Sequence, residues 1–206
     1  MIAVIDYGVG NLFSLCSSLE AIGAESVVTS SPDVIRRADR IILPGVGAFA
    51  DAIAKLRATG LDEVIRKEVA CGKPLFGICL GMQMLFEESL EYGTHRGLGF
   101  LRGRVIGMEG TIPEKLKIPH IGWNSLEFNG EHPIFKYIKE GDFVYFVHSY
   151  YAVDCDESLI ASTEYGKMMT AAVAYGNVAG TQFHPEKSGE VGLNILRAFC
   201  EWQPEA

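Results

Sequence analysis

The chain has 206 residues, of which 48% are hydrophobic and 21% charged, with a formal net charge of -8. One core normally serves a chain of this length, and so much apolar content excludes a disordered polymer. The acidic balance disfavours a nucleic-acid scaffold, because neutralising phosphates needs a basic face.

The first six residues lack the basic start and long apolar run of an export signal and read as a buried first strand. That strand, residues 2–5, runs into the turn Asp6-Tyr7-Gly8-Val9-Gly10-Asn11. Leu12, Leu15, Leu19 and Ile22 then share one helical face, and Gly23 stops the helix. Val27-Val28 is a short strand. Ser31-Pro32 opens a turn or short helix, with Arg36-Arg37 at its solvated end. Residues 40–43 form a strand ending in Pro44-Gly45-Val46-Gly47, followed by helical segments around Phe49, Ile53 and Leu56 and over residues 61–69. The strand 75–78 turns into a helix expected over 82–88, with Glu87-Glu88 on its wet side.

The second half changes texture. Residues 99–106, 123–128, 143–153, 159–163 and 169–183 carry strand-like runs without a long helix among them, and Tyr175-Gly176-Asn177 reads as a hairpin turn. These runs are expected to extend the sheet with antiparallel members. A last helix over 189–202 docks through Val191, Leu193, Ile195, Leu196 and Phe199. The alternation of strands and helices predicts a single α/β domain over residues 1–206, three-layered, with a mostly parallel sheet and helices on both faces. Apolar runs such as 41–43 and 144–147 are far below the roughly 20 residues that a bilayer requires, so no membrane association is expected.

Gly77-Ile78-Cys79-Leu80-Gly81 carries the chemistry. It has the pattern of a nucleophile elbow, with cysteine where serine often stands. A strand that turns abruptly into a helix strains the central residue and pushes its side chain outward. Free N–H groups at the helix start can favour a thiolate and hold an oxyanion. By itself the spacing also fits a small core cysteine. The other cysteines, Cys16, Cys71, Cys155 and Cys200, fit structural or surface positions. No C-x-x-C or metal-site spacing occurs, so neither metal nor cofactor is expected, and the thiols read as reduced, in the cytoplasm.

A cysteine nucleophile needs a nearby base, itself oriented by a third group. His184 follows a strand in Gln182-Phe183-His184-Pro185-Glu186. Glu186 lies two residues on, so an extended backbone sends both side chains to one side, and Pro185 favours that extended form. The same residues also fit a strand end followed by a solvated Glu-Lys pair. His148 reads as a structural histidine or pocket wall, while His95, His120 and His132 fall in expected loops. Pro44-Gly45-Val46-Gly47 is a second place for an oxyanion donor, or a plain tight turn. It lacks the Gly-Lys-Ser/Thr ending of a phosphate loop.

The chain resembles the class I glutamine amidotransferases, and among them the glutaminase subunits of imidazole glycerol phosphate synthases. The resemblance rests on residues 6–12, Leu43-Pro44-Gly45-Val46-Gly47-Ala48-Phe49, residues 77–85, Gly122-Trp123-Asn124, Phe146-Val147-His148-Ser149-Tyr150 and residues 182–188, in order along nearly the whole chain. It implies a flavodoxin-like fold, Cys79 as nucleophile, His184 as base and Glu186 as its orienter. It further implies an oxyanion site at Gly47 and the Leu80 N–H, with glutamine bound by Gln83 and the backbone around Ser149 and Tyr150. Tyr145, Trp123 and Lys187 are implied as interface or coupling positions. The expected partner is a cyclase subunit with a (β/α)8 barrel, in a 1:1 heterodimer, which uses the ammonia in histidine biosynthesis. The alternatives are the glutaminase subunit of another ammonia-using synthase such as pyridoxal phosphate synthase, a cysteine hydrolase of related fold, and a non-enzymatic regulatory subunit with a retained pocket.

Overall fold

The computed structural model describes residues 1–204. Strands β1 (Ile2–Ile5), β2 (Ser26–Thr29), β3 (Arg40–Leu43) and β4 (Leu75–Ile78) alternate with α1 (Leu12–Ala21), α2 (Pro32–Arg37), α3 (Phe49–Ala58) and α4 (Leu61–Ala70). The one-turn helix α5 (Leu80–Gln83) leads into β5 (Phe86–Ser89), β6 (His95–Arg96) and β7 (Leu101–Gly107). Next come β8 (His120–Ser125), β9 (Glu127–Phe128), β10 (Phe143–His148) and β11 (Tyr150–Val153). The chain closes through β12 (Leu159–Glu164), β13 (Met168–Tyr175), β14 (Val178–Thr181) and α6 (Gly189–Glu201).

The main sheet has the order β2-β1-β3-β4-β14-β13-β12-β9. Its first five strands are parallel, in the flavodoxin-like order, and the last three add on antiparallel. Side-chain alternation divides the core between the two faces. Ala3, Ile5, Ile41 and Leu43 pack toward Ile35 of α2 and toward α3 and α4. Ile2, Val4, Ile42, Phe76 and Ile78 pack toward Leu15 and Leu19 of α1 and Ile195, Leu196 and Phe199 of α6. Phe76 and Phe199 stack with centroids 5.0 Å apart, fixing α6 against the centre of the sheet. The expected three layers, with helices on both faces, are present.

Three expectations need correction. The helix expected over 82–88 stops at Gln83, and Phe86–Ser89 is a strand paired with β7 and β6. The Met-Leu-Phe-Glu-Glu run favours helix locally, but long-range backbone bonds overrule it: Leu98 N–H donates to the Met84 carbonyl and Gly97 N–H to that of Glu87. The second-half strands do not all extend the main sheet. β11-β7-β5-β6 forms a separate sheet and β10-β8 a two-stranded ribbon. The run 143–153 therefore breaks at Ser149, where the chain passes from one sheet to another. Finally, His95 and His120 lie in strands β6 and β8, because the pairing partners that order these segments are distant in sequence.

Gly81 shows how tightly the centre is assembled. A Cβ there would overlap the Leu43 carbonyl oxygen of β3, and one on Gly77 would come within 2.7 Å of the Met82 backbone. Neither neighbour is a flexible side chain. Gly81→Ala should therefore lower unfolding free energy by roughly 1–3 kcal/mol in urea denaturation, the range for overpacking a closed interior. A change below about 0.5 kcal/mol would show that this approach relaxes freely.

Candidate active site

The carboxyl ends of three adjacent strands converge on one cleft. The loop 44–47 leaves β3, Cys79 leaves β4, and His184 follows β14. In an open parallel sheet, strand carboxyl ends are where loops and helix starts meet a ligand. The cleft measures about 670 Å³ and is lined by Gly47, Cys79, Leu80, Gln83, Ser149, Tyr150, His184 and Lys187 among others. Of the expected site residues, Glu186, Tyr145 and Trp123 are absent from this lining.

Cys79 sits at φ 54°, ψ -110°, a conformation costly to a residue with a side chain. Its N–H donates to the Thr181 carbonyl at 2.7 Å and its carbonyl accepts from Gln83 N–H at 3.0 Å, so both sides of the strained residue are tied down. Gln182 lies in the motif around His184 but has no role marked by its spacing, yet its Nε2 approaches Cys79 Sγ at 3.7 Å. Its Oε1 accepts from Gln83 Nε2 at 3.0 Å, and that nitrogen also donates to the Tyr150 carbonyl at 3.0 Å. The expected help from a helix start is modest, since α5 is only one turn long and carries little macrodipole.

His184 Nδ1–H donates to Glu186 Oε1 at 2.7 Å, with both side chains buried. The route differs from the expected extended backbone. His184 is extended, but residues 185–187 form a 3-10 turn that swings Glu186 back beneath the imidazole. Glu186 is thus a buried partner and not part of a solvated pair. Burial alone would lower the His184 pKa. Hydrogen bonding to Cys79 and Glu186, with their negative charge, overrides it and raises the value to about 9. The Nδ1–Glu186 bond leaves Nε2 for the thiol.

The loop is also held from β10. His184 N–H donates to the Tyr145 carbonyl at 3.0 Å, and Tyr145 N–H donates to Ser188 Oγ at 2.9 Å. The Tyr145 ring lies under Lys187 Nζ at 5.8 Å and edge-on to Trp123 at 6.0 Å. These three residues, expected together at an interface, form one cluster at the cleft edge, with Trp123 and Lys187 exposed and Tyr145 half-buried. Glu91 is a lining residue that no sequence signal marked. It is nearly buried, and its Oε2 accepts the Phe49 N–H at 2.6 Å, at the first residue of α3. Its role comes from the unexpected strand β5, which delivers the loop behind it to the cleft. Among the described residues no group of three or more His, Cys, Asp or Glu is arranged to hold a metal, and no helix is long and apolar enough to cross a membrane.

Comparison with known proteins identifies the family. A family model described as glutamine amidotransferase class-I matches residues 3–201. The chain belongs to the class I glutamine amidotransferase family. It is 50% identical over 208 residues to the imidazole glycerol phosphate synthase subunit HisH of Bacillus licheniformis, covering 100% of this chain and 98% of the relative. The subunit of the same name from Aquifex aeolicus is 52% identical over 198 residues, covering 95% and 94% of the two chains. Within the class, its place is among these HisH subunits. A crystal structure of a glutamine amidotransferase superposes with a TM-score of 0.76 at 21% identity, covering 98% of both chains. The structure of PurLQS from Thermotoga maritima gives 0.75 at 21% identity, with 97% of each chain covered. At such identities these two likenesses concern the fold.

The raised His184 pKa has a stability consequence. A histidine that binds its proton more tightly when folded contributes stability fully below its ordinary value of 6.5, and that contribution disappears as pH rises through about 9. Urea denaturation between these pH values should show stability falling, and Glu186→Gln should flatten that fall. An unchanged slope in the variant would mean the carboxylate does not hold the proton.

Proposed function

We propose that the chain is the glutaminase half of a two-protein synthase, with Cys79, His184 and Glu186 as its catalytic groups. The thiolate of Cys79 attacks the side-chain amide carbon of glutamine, and the tetrahedral oxyanion is held by backbone N–H groups at Leu80 and Gly47. The imidazolium of His184 gives a proton to the leaving nitrogen, releasing ammonia and a γ-glutamyl thioester. Water then attacks the thioester with His184 accepting its proton, and glutamate leaves as the thiol is restored. The observation that carries this reading is the paired constraint at Cys79 and His184: a strained thiol-bearing turn opposite an imidazole whose other nitrogen is committed to a buried carboxylate.

Gln83, Ser149 and Tyr150 hold the amino-acid end of glutamine in this reading. Both hydrogens of the Gln83 amide are already committed, to Gln182 and Tyr150, so its Oε1 is the atom that meets a ligand donor. Glu91 adds a carboxylate suited to an ammonium group.

Ammonia released to water would protonate and cease to be a nucleophile, so a second protein should take it directly. The relatives are named as subunits of imidazole glycerol phosphate synthase, which implies such a partner. The partner in this reading is a cyclase subunit with a (β/α)8 barrel, bound 1:1 in the cytoplasm, using the ammonia in histidine biosynthesis. Its docking surface is the β8-β10 ribbon, where Ile121, Trp123 and Phe143 are exposed, next to Lys187 and Ile118 at the cleft. Tyr145, Trp123 and Lys187 would then couple docking to the His184 loop.

Cys79→Ala should abolish glutamate release, leaving the cyclase subunit able to use added ammonia. Glutamine turnover should also rise at least tenfold when the cyclase subunit and its substrate analogue are added, as expected if the partner aligns oxyanion donors. Full turnover without a partner, or stimulation by a pyridoxal phosphate synthase subunit instead, would overturn the pairing.

A further inference from the structure

His148 lines the cleft and His120 lies behind it, with His120 Nδ1 and His148 Nε2 3.1 Å apart. The other nitrogen of each ring meets a group that can only accept. His148 Nδ1 is 2.9 Å from the Tyr150 carbonyl oxygen, and His120 Nε2 is 2.8 Å from Asn124 Oδ1. The Asn124 amide cannot be reversed to help, because its Nδ2 donates to the Glu164 carbonyl at 2.8 Å. Three hydrogen bonds need three N–H hydrogens, whereas two neutral imidazoles carry only two. With two, one contact sets lone pair against lone pair in a buried place, where His120 is 1% and His148 5% exposed.

We propose that the pair holds one proton beyond neutrality, carried on His120, and acts as a positioning pair for the Ser149 and Tyr150 wall of the cleft. His120 then donates from both nitrogens, to Asn124 and to His148, and His148 donates its single N–H to Tyr150. Every contact is satisfied.

The surroundings favour His120 as the charged member. Its ring is sandwiched between Tyr165, at 4.0 Å and 18°, and Phe146, at 5.0 Å and 20°, and the faces of aromatic rings attract a cation. His148 is held neutral: burial outweighs its bond to the Tyr150 carbonyl and, with the charges of His120 and His184, takes its pKa down to about 3. Burial, only partly opposed by its bond to Asn124, by itself leaves the His120 pKa below its ordinary value. The two stacked rings and the lone pair of His148 act in the same sense as Asn124, and these are what hold the proton. The groups facing the pair are His184, Asn124, the Tyr150 carbonyl, Phe146 and Tyr165. Among the described residues neither ring forms an ion pair with a carboxylate.

The Tyr150 carbonyl also accepts from Gln83, so the pair and Gln83 grip the same atom of the wall. Loss of the His120 proton forces one of the three contacts to break and loosens that grip. A cation behind the wall also favours a ligand that brings a carboxylate against it. This effect on glutamine rests on the glutaminase reading, whereas the proton count does not.

The test is nitrogen NMR of the full chain carrying 15N-labelled histidine, with signals assigned through the backbone. At about pH 7, three of the four ring nitrogens of His120 and His148 should be protonated. Two protonated and two bare nitrogens would overturn the proposal without any variant being made. The second measurement is calorimetric binding of L-glutamine to the Cys79→Ala chain, with and without His120→Gln. Affinity should be roughly fivefold weaker with His120→Gln, as for one lost hydrogen bond. It should fall with rising pH only where His120 is present. An equal loss at every pH would overturn the positioning role. Absence of glutamine binding in both chains would count against the glutaminase reading, with the proton count read separately.

Discussion

The turn after β4 rests directly on the β3 backbone, with Gly81 against the Leu43 carbonyl. On its other side Cys79 N–H is bonded to Thr181 of β14. These contacts join three neighbouring strands at their carboxyl ends, where the sheet can no longer supply its own ladder. The strained geometry of Cys79 persists because both flanks are fixed in this way. The loop 44–47 and His184 leave from the same two flanking strands. Their distance from the thiol is therefore set by strand spacing, not by long mobile loops.

Upon that frame, environment separates residues of the same type. His184 has a buried carboxylate and a thiol for neighbours and keeps its proton to about pH 9. His148 belongs to the same cleft but faces a carbonyl and two other imidazoles, and stays neutral to about pH 3. Burial works in the same direction at both positions. What differs is whether a negative partner is present to oppose it. Only the first histidine can combine a full proton with access to Cys79, which suits it to protonate a leaving group.

The parallel half of the fold was legible because each strand there is a short apolar run followed by a glycine-bearing turn and an amphipathic helix. The elbow at Cys79 and the pair His184 and Glu186 were legible because their spacing is local, although Glu186 reaches His184 through a 3-10 turn and not an extended chain. Gln182 and Glu91 were not. Gln182 lies in a buried strand end, where nothing local marks its amide as facing a thiol. Glu91 depends on the pairing of β5 with β7, a parallel contact that overrides the helical preference of residues 84–88. His120 was concealed for the same reason: its neighbours Phe146, His148 and Tyr165 are assembled by pairing across long sequence separations.

The β8-β10 ribbon stands apart from the main sheet, and its Tyr145 backbone is bonded at both N–H and carbonyl to residues 184–188. One residue beyond its far end, Ser149 enters the cleft wall. The ribbon is therefore tied to the cleft at two points, the His184 loop and the Ser149 wall. A displacement of the ribbon would strain the Tyr145 bonds to residues 184–188 and the chain at Ser149 together.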